Sequence, residues 1–488
     1  MKKLFRHIAF AAAAATLAVL MLTSCAAKPE TVRRREHTIA YFYADEEDGT
    51  RFVADGAPLD FLLSDEIRDY YTCDGTVSAA IAGTGLYRVS KDGAVMVHPA
   101  GVTRALVSLD DRYIVYLTAT TLHIYDDNTG AVTDVKPDEE GSMVSAAISP
   151  DGSAVGFSIK SSEGKYSAYA YVNGECRKLS DDAYLVAIAD GAEFWYFARI
   201  KDAALYRASG SREKKIADDV SQKMEFNRDL TEVTFDVNGE TRYSVNGSAA
   251  KPIVKGRSLY TTKAQCVSKQ GGDLVEASVM DCGTMFGCAF YSARESSDES
   301  SSVTVYDLWY VNGAKKAKEL VEGAYAFGLS DDGSTLSCLI DKLLYVMDVR
   351  DREGAKAIAR NVYSFNTTRD GGKFYGIKYD GSLFVCDREG AASTVSKDVV
   401  YSMVTPDGRC MYLGEYEKTG NLYVTDGKET NKAATGVVHI DVFPGMCVYY
   451  TAPYDNENGV KVCDVYASPT GDDFALVVKG AAVGIKNN

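Results

Sequence analysis

The sequence predicts an all-β protein, and three observations carry that expectation. The first is composition: Tyr stands at 32 of 488 residues and Pro at only 10, a balance that suits strands. The second is periodicity. Beyond the first two dozen residues no segment holds a helical period over three turns, whereas apolar residues alternate in short runs. The third is repetition. "SPDG" at Ser149 precedes an apolar strand, and related stretches begin at Ser330 ("SDDGSTLSCLI"), Thr368 ("TRDGGKFYGIKY") and Thr405 ("TPDGRCMYLGEY"). Weaker copies begin at Ser108, Ala189 and Phe226.

Each element of the repeat has a local reason. In Ser149-Pro150-Asp151-Gly152 the proline presets the first turn position, and glycine takes the left-handed position that closes the turn. A second landmark follows each turn: "KLLYVMDVRDREG" at Lys342, "GSLFVCDREG" at Gly381 and "GNLYVTDGKE" at Gly420. An alternating run such as "VVYSMVTPDG" then leads into the next copy. The unit therefore reads strand, Asp-Gly turn, strand, loop, strand, polar turn, strand. Four strands in about 40 residues, repeated, predict the blades of a β-propeller. Residues 38–488 are expected to form one large propeller of about eight to ten blades. The spacing lengthens at 256–283, read as an inserted hairpin or a seam, and at 293–302 ("ARESSDESSS"), read as a long loop. Residues 38–69 are expected to supply a strand that completes the last blade and closes the ring, since closure removes an exposed sheet edge.

"SPDG" before an apolar strand and then "LYV-D" resembles the WD40-like repeats of TolB-type propellers (PD40 repeats), which also build the propeller domains of prolyl-oligopeptidase-like peptidases. The resemblance implies the fold and no activity. Peptidases of that kind append an α/β-hydrolase with a G-x-S-x-G elbow; this chain has no such motif.

The N-terminus reads as an export signal. Lys2, Lys3 and Arg6 precede an apolar run from Ile8 to Leu22, too short for a comfortable membrane span. It ends in "LTSC", which resembles the lipobox of bacterial lipoproteins. That resemblance implies removal of residues 1–24 by cleavage after Ser24, and diacylglycerol on the Cys25 thiol. Residues 25–37 then form a lipidated tether with Arg33, Arg34 and Arg35 near the headgroups. The expected location is the outer face of the cell membrane, or the periplasmic side if the host is Gram-negative.

Charge and cysteine usage narrow the partners. Residues 1–24 hold three basic and no acidic residues, so the remainder carries 50 basic against 68 acidic groups, a net −18. That disfavours nucleic acid and other polyanions, whose binding rests on cationic side chains. Ten cysteines beyond Cys25 are scattered, with no C-x-x-C and no dense framework. Several sit within strand patterns ("LSCLI", "LFVCD"), where they act as small buried hydrophobes. Exported free thiols fit an anaerobic, Gram-positive host.

Each candidate chemical motif competes with the needs of the fold. Ser162 and Lys165, Tyr171 and Asn173, and Lys418-Thr419-Gly420 imitate the motif set of penicillin-binding enzymes, but the first falls in a hairpin loop where a helix is required. The acidic runs at Asp45, Asp126 and Asp455 lack calcium-loop spacing and suit turns. His37, His98, His123 and His439 form no metal-binding pair by spacing. No catalytic, cofactor or metal residue is assigned. Asp151 is read as a turn residue, because a turn recurs in every blade and a catalytic group does not. The tyrosines are read mainly as packing between blades, with exposed rings expected, if anywhere, near 293–302. The expected function is a non-catalytic binding or scaffold module for a protein, peptide or glycan. The alternative is a propeller enzyme of lyase, glycosidase or cyclase type, with a composite site at the channel mouth.

Overall fold

A computed structural model describes residues 37–482 except 44–48, 64, 74–75, 262–266, 273, 281, 286–288, 296–302, 312–316 and 458. Residues 1–36, and with them Ser24 and Cys25, lie outside the described residues. The chain is a multi-blade β-propeller. Among the described residues there are ten four-stranded antiparallel blades and one three-stranded sheet. Blades 1 to 5 span 67–98, 104–135, 142–181, 184–217 and 220–252; blades 6 to 10 span 260–324, 326–360, 362–396, 399–437 and 437–482. Each blade begins at its inner strand and ends at its outer one.

The apolar face of each sheet is buried against the next sheet, as two-sided strands require. Each neighbouring pair shares one cluster. Phe157 and Tyr169 of blade 3 pack with Val115 of blade 2, Phe384 of blade 8 with Leu344 of blade 7, and Trp309 of blade 6 with Ile253 at the end of blade 5. The chain of clusters returns to its start. Phe42 and Val53 pack on Val448 and Val465 of blade 10, while Phe52 packs on Val77 and Ala80 of blade 1. The ring is thus closed by the three-stranded sheet, Ile39–Tyr43, Thr50–Ala54 and Ala57–Leu63.

That closure differs from the expected one. Residues 38–69 do not complete the last blade. Blade 10 draws its inner strand from Thr430–Phe443, whose first half pairs with blade 9 and whose second half pairs with Met446–Thr451. The N-terminal sheet instead stands as its own wedge. His37 and Thr38 lie at the mouth that holds the Asp-Gly turns: Thr76 Oγ1 donates to His37 O at 3.1 Å. A Cβ on Gly445, in the corresponding turn of blade 10, would stand 2.6 Å from Thr38 Oγ1. Its three strands therefore run as the second, third and fourth strands of a blade, and no first strand precedes Ile39–Tyr43 among the described residues.

The Asp-Gly turns share one hydrogen-bond pattern. Ser149 Oγ donates to Asp151 Oδ1 at 3.0 Å and accepts from Ala154 N at 2.9 Å. Ser330 with Asp332, Thr368 with Asp370 and Thr405 with Asp407 repeat the hydroxyl-to-carboxylate bond. Gly152 has φ +73°, and a Cβ there would come within 2.1 Å of the Tyr113 ring in blade 2; both conformation and closeness require glycine. These aspartates accept from their own turns, as turn residues do.

Within 256–283 the chain leaves blade 6 to form a hairpin, Val267–Gly271 and Glu276–Met280. It lies inside the ring. Glu276–Met280 pairs in parallel with the inner strand of blade 5, Gly271 pairs with Ala146 in the inner strand of blade 3, and the hairpin packs along those of blades 1, 2 and 4. Gln270 fastens it: its Oε1 accepts from Ile148 N at 2.9 Å and its Nε2 donates to Ile148 O at 3.1 Å. The strand of blade 4 beneath it, Tyr184–Ile188, is wholly buried.

Candidate functional site

The mouth opposite the Asp-Gly turns is where the inner strands begin and where the second and third strands of each blade are joined. The residue five positions before the Ser/Thr-x-Asp-Gly turn sits at this mouth. In blade 4 it is Tyr184, fully buried, its hydroxyl donating to Val144 O at 3.1 Å. The tip of the internal hairpin covers it: a Cβ on Gly272 would lie 2.5 Å from that hydroxyl. In blades 7 and 8 the same position holds Tyr325 and Tyr363, and both are exposed, Tyr363 by 61%. In blade 9 it holds Val400, exposed by 50%, followed by exposed Tyr401.

The exposure has a backbone cause. Pairing in blade 8 skips from Val362 to Ser364 and in blade 9 from Val399 to Tyr401, so Tyr363 and Val400 are the extra residues of β-bulges. A bulge turns its side chain out of the alternating pattern. Tyr379, exposed in the loop after the second strand of blade 8, meets Tyr363 edge-on with ring centroids 5.6 Å apart. Lys342 Nζ of blade 7 stands 4.8 Å above the Tyr379 ring. Tyr401 stacks on His439 of blade 10 at 6.0 Å. Asp441 lies below, accepting from the Tyr450 hydroxyl at 3.0 Å, with His439 Nε2 at 3.3 Å. Burial, and then the charge of Asp441, holds the Tyr401 hydroxyl above its ordinary pKa. An arc of phenol rings thus crosses three consecutive blades. Such rings offer flat apolar faces with a hydrogen-bonding edge, which suits stacking and anchoring rather than proton transfer.

The other candidates from sequence are not brought together. Lys165 pairs with Glu163 at 2.8 Å in an exposed loop of blade 3, while 418–420 lies in the equivalent loop of blade 9. Asp126 accepts from Asn128 N and pairs with Arg112; Asn456 accepts from Val460 N within its own turn. Of the run at Asp45, residues 45–48 lie outside the described residues. No group of three metal-ligating side chains occurs among the described residues. Asp190 accepts from Asp151 N at 3.1 Å; burial and then Asp151 raise its carboxyl to about 6, but the pair stands on the Asp-Gly mouth, turn against turn. The tyrosines divide as their surroundings dictate. Tyr116, Tyr184, Tyr196 and Tyr375 are fully buried packing groups. Exposed rings stand at Tyr325, Tyr363, Tyr379 and Tyr401 on blades 7 to 9, and also at Tyr260 of blade 6, which pairs with Tyr291, and at Tyr454 of blade 10; 296–302 lies outside the described residues. A Tyr five residues before the turn, at Tyr184, Tyr325 and Tyr363, marks this rim position in the sequence but not its exposure, since Tyr184 is buried.

The seven described cysteines that are free thiols include Cys338, Cys386, Cys410 and Cys447, all buried. Burial pushes the thiols of Cys338, Cys386 and Cys447 up to about 12, which makes them packing groups and poor nucleophiles.

No protein-family model matches the chain, and no curated protein sequence matches it. Among solved structures it is similar to a eukaryotic initiation factor, at 11% identity and a TM-score of 0.37, over 83% of this chain and 94% of that one. It is also similar to the tricorn protease, at 12% identity and a TM-score of 0.26, over 78% of this chain and 45% of that one. The sheet topology, and not these likenesses, carries the fold.

Proposed function

We propose that this protein is a lipid-anchored, extracytoplasmic binding module related to TolB-type propellers, held to the membrane through Cys25 and engaging its ligand at the tyrosine-lined mouth of blades 7 to 9. The observation that carries the proposal is the placement of Tyr325, Tyr363, Tyr379 and Tyr401 in solvent on three consecutive blades. Tyr184 shows that a ring at this rim position can be packed away when its hydroxyl is satisfied, here by Val144 O. Leaving four of them exposed along one rim suits a surface that is covered on binding. The ligand is a protein, peptide or glycan; the net −18 of the chain beyond residue 24 disfavours polyanions.

Two measurements test this. Membranes from cells making the full chain are expected to retain it, and a Cys25→Ser variant is expected to appear unanchored. Affinity capture against glycan and envelope-protein panels is expected to yield a ligand whose binding falls at least tenfold in Tyr363→Ala/Tyr379→Ala, with the melting temperature kept. Binding indifferent to those rings would refute the site. Turnover of a captured glycan would refute the non-catalytic reading and leave the anchor untouched.

A further inference from the structure

A pocket of about 220 Å³ opens between blades 4 and 5, on the outer rim of the Asp-Gly mouth and away from the tyrosine arc. One wall belongs to the third and fourth strands of blade 4, Ala204–Ser209 and Arg212–Ala217. The other is the hairpin turn of blade 5 at Asn246 and Gly247. The face that blade 4 turns toward blade 5 is apolar where Leu205 and Ile216 pack with Phe226 and Val233. Alternation carries that face on toward the Asp-Gly mouth, and there it presents Arg207, Arg212 and Lys214 to the pocket. We infer that this pocket is an anion site, built to hold a single phosphate group.

Three observations select that ligand. The first is unpaired charge. Arg207 stands directly opposite Lys214 in the sheet, and like charges in that relation repel. Among the described residues no carboxylate forms an ion pair with Arg207, Arg212 or Lys214, although Arg199 and Lys215 beside them are paired. Glu213 borders the pocket, but its carboxylate is engaged on the other face of its strand, by Arg199 and by Ser180 Oγ at 3.3 Å. In a chain with more acidic than basic groups, three neighbouring cations without one carboxylate are out of keeping with the composition.

The second is preparation. The Arg207 guanidinium lies 3.8 Å from the centre of the Phe194 ring, and its buried Nε has no hydrogen-bond partner. Stacking fixes the guanidinium plane and leaves its N–H edge to meet oxygens in that plane. Gly247 makes room for it: with φ +66°, a Cβ there would stand 2.8 Å from Arg207 Cδ.

The third is the match of charge and size. One guanidinium satisfies a carboxylate as a bidentate pair. Three cations match a phosphate group, which brings about −1.5 to −2 charges and three acceptor oxygens. The pocket is smaller than the about 300–1,000 Å³ of sites that enclose a drug-sized molecule, so it takes the group and leaves the carrier outside. Inorganic phosphate, a phosphorylated sugar and a phosphatidate headgroup all present this chemistry, and the test separates them.

The full chain in detergent is titrated by calorimetry with inorganic phosphate, with glucose 6-phosphate and with phosphatidate carried in the micelles, each against chloride at matched ionic strength. Saturable binding of at least one is expected, and the tightest identifies the carrier. Arg212 and Lys214 are exposed, so Arg212→Gln/Lys214→Gln is expected to keep the unliganded melting temperature and to weaken binding about tenfold or more. Arg207→Lys keeps the charge but gives up the planar stack, and is expected to weaken it about tenfold as well. Acetate is expected to bind about tenfold more weakly than phosphate. Heats no greater than those of chloride for all three probes would overturn the inference. So would binding undiminished in the double variant, or acetate binding as tightly as phosphate. None of these outcomes bears on the tyrosine-lined mouth, which lies at the other end of the ring.

Discussion

Arg88 joins blades 1 and 2 from a position almost out of water. Its Nη2 pairs with Asp111 at 2.7 Å and with Asp127 at 2.9 Å, and its Nη1 donates to Ser78 O at 3.0 Å. Replacing it by Met takes this cation away from two carboxylates, one of them only 13% exposed, and is expected to cost about 3–5 kcal/mol, read by urea denaturation. Asp190 makes the opposite case. Its folded carboxyl titrates near 6 against an ordinary 3.8, through burial and then Asp151. The folded state therefore favours its proton, and the stability it lends is complete below about pH 4 and lost as pH rises through 6. Asp151 has the reverse sign: burial raises its carboxyl, but hydrogen bonds from Asp190, Ser153 and Ser149 outweigh burial and hold it low. Asp190→Asn is expected to melt higher than wild type at pH 8 and level with it at pH 4; equal melting at both would show that no proton is shared. At this scale the sequence was legible where it repeated. The turn role of Asp151 follows from its copies, whereas the partners of Arg88 lie 23 and 39 residues away and no local pattern marks them.

The internal hairpin shows what local patterns leave out. An excess of residues around blade 6 is visible in the spacing, but a hairpin kept within its blade and one laid across the ring's interior have the same sequence signature. Contacts with blades more than a hundred residues away decide between them, Gln270 with Ile148 above all. Gln270→Leu leaves the Ile148 N–H and C=O without that partner in a dry site, at about 1–3 kcal/mol for each group. The expected result is lower stability together with faster amide exchange in Tyr184–Ile188, while the outer strand of blade 4, Arg212–Ala217, is unchanged. Exchange rising uniformly across blade 4 would mean that the hairpin is not a separate cover. The exposed rings were missed for a related reason. Alternation assigns Tyr363 to a packed face, and the bulge that turns it outward depends on how its partner strand registers.

For the molecule as a whole, closure rests on apolar contact between its first and last sheets. Phe42 is 1% exposed against blade 10, and Phe384 is equally buried between blades 7 and 8. Truncation of either to Ala is expected to cost about 3–5 kcal/mol. Only Phe42→Ala is expected to expand the particle in urea below the main transition, as small-angle scattering would show, because only it loosens the seam. Equal expansion in both would mean that every blade junction opens alike. The propeller class and the approximate number of blades were legible from turn spacing. The manner of closure was not, because it joins residues some 400 positions apart and depends on a strand shared between blades.

That shared strand, Thr430–Phe443, makes one junction unlike the rest. The other blades are joined by turns or loops, some of a single residue such as Asn361 between blades 7 and 8. Between blades 9 and 10 there is a continuous ribbon, bent at Gly436 with φ +72°, whose two halves are hydrogen-bonded into different sheets. It is a rigid coupling. Load applied to the outer edge of blade 9 passes along a continuous strand to the inner wall, beside Tyr401 and His439, while elsewhere it must cross a turn or loop between two strands. If the particle flexes when its rim is occupied, blades 9 and 10 will move together, and the remaining joints will take up the displacement.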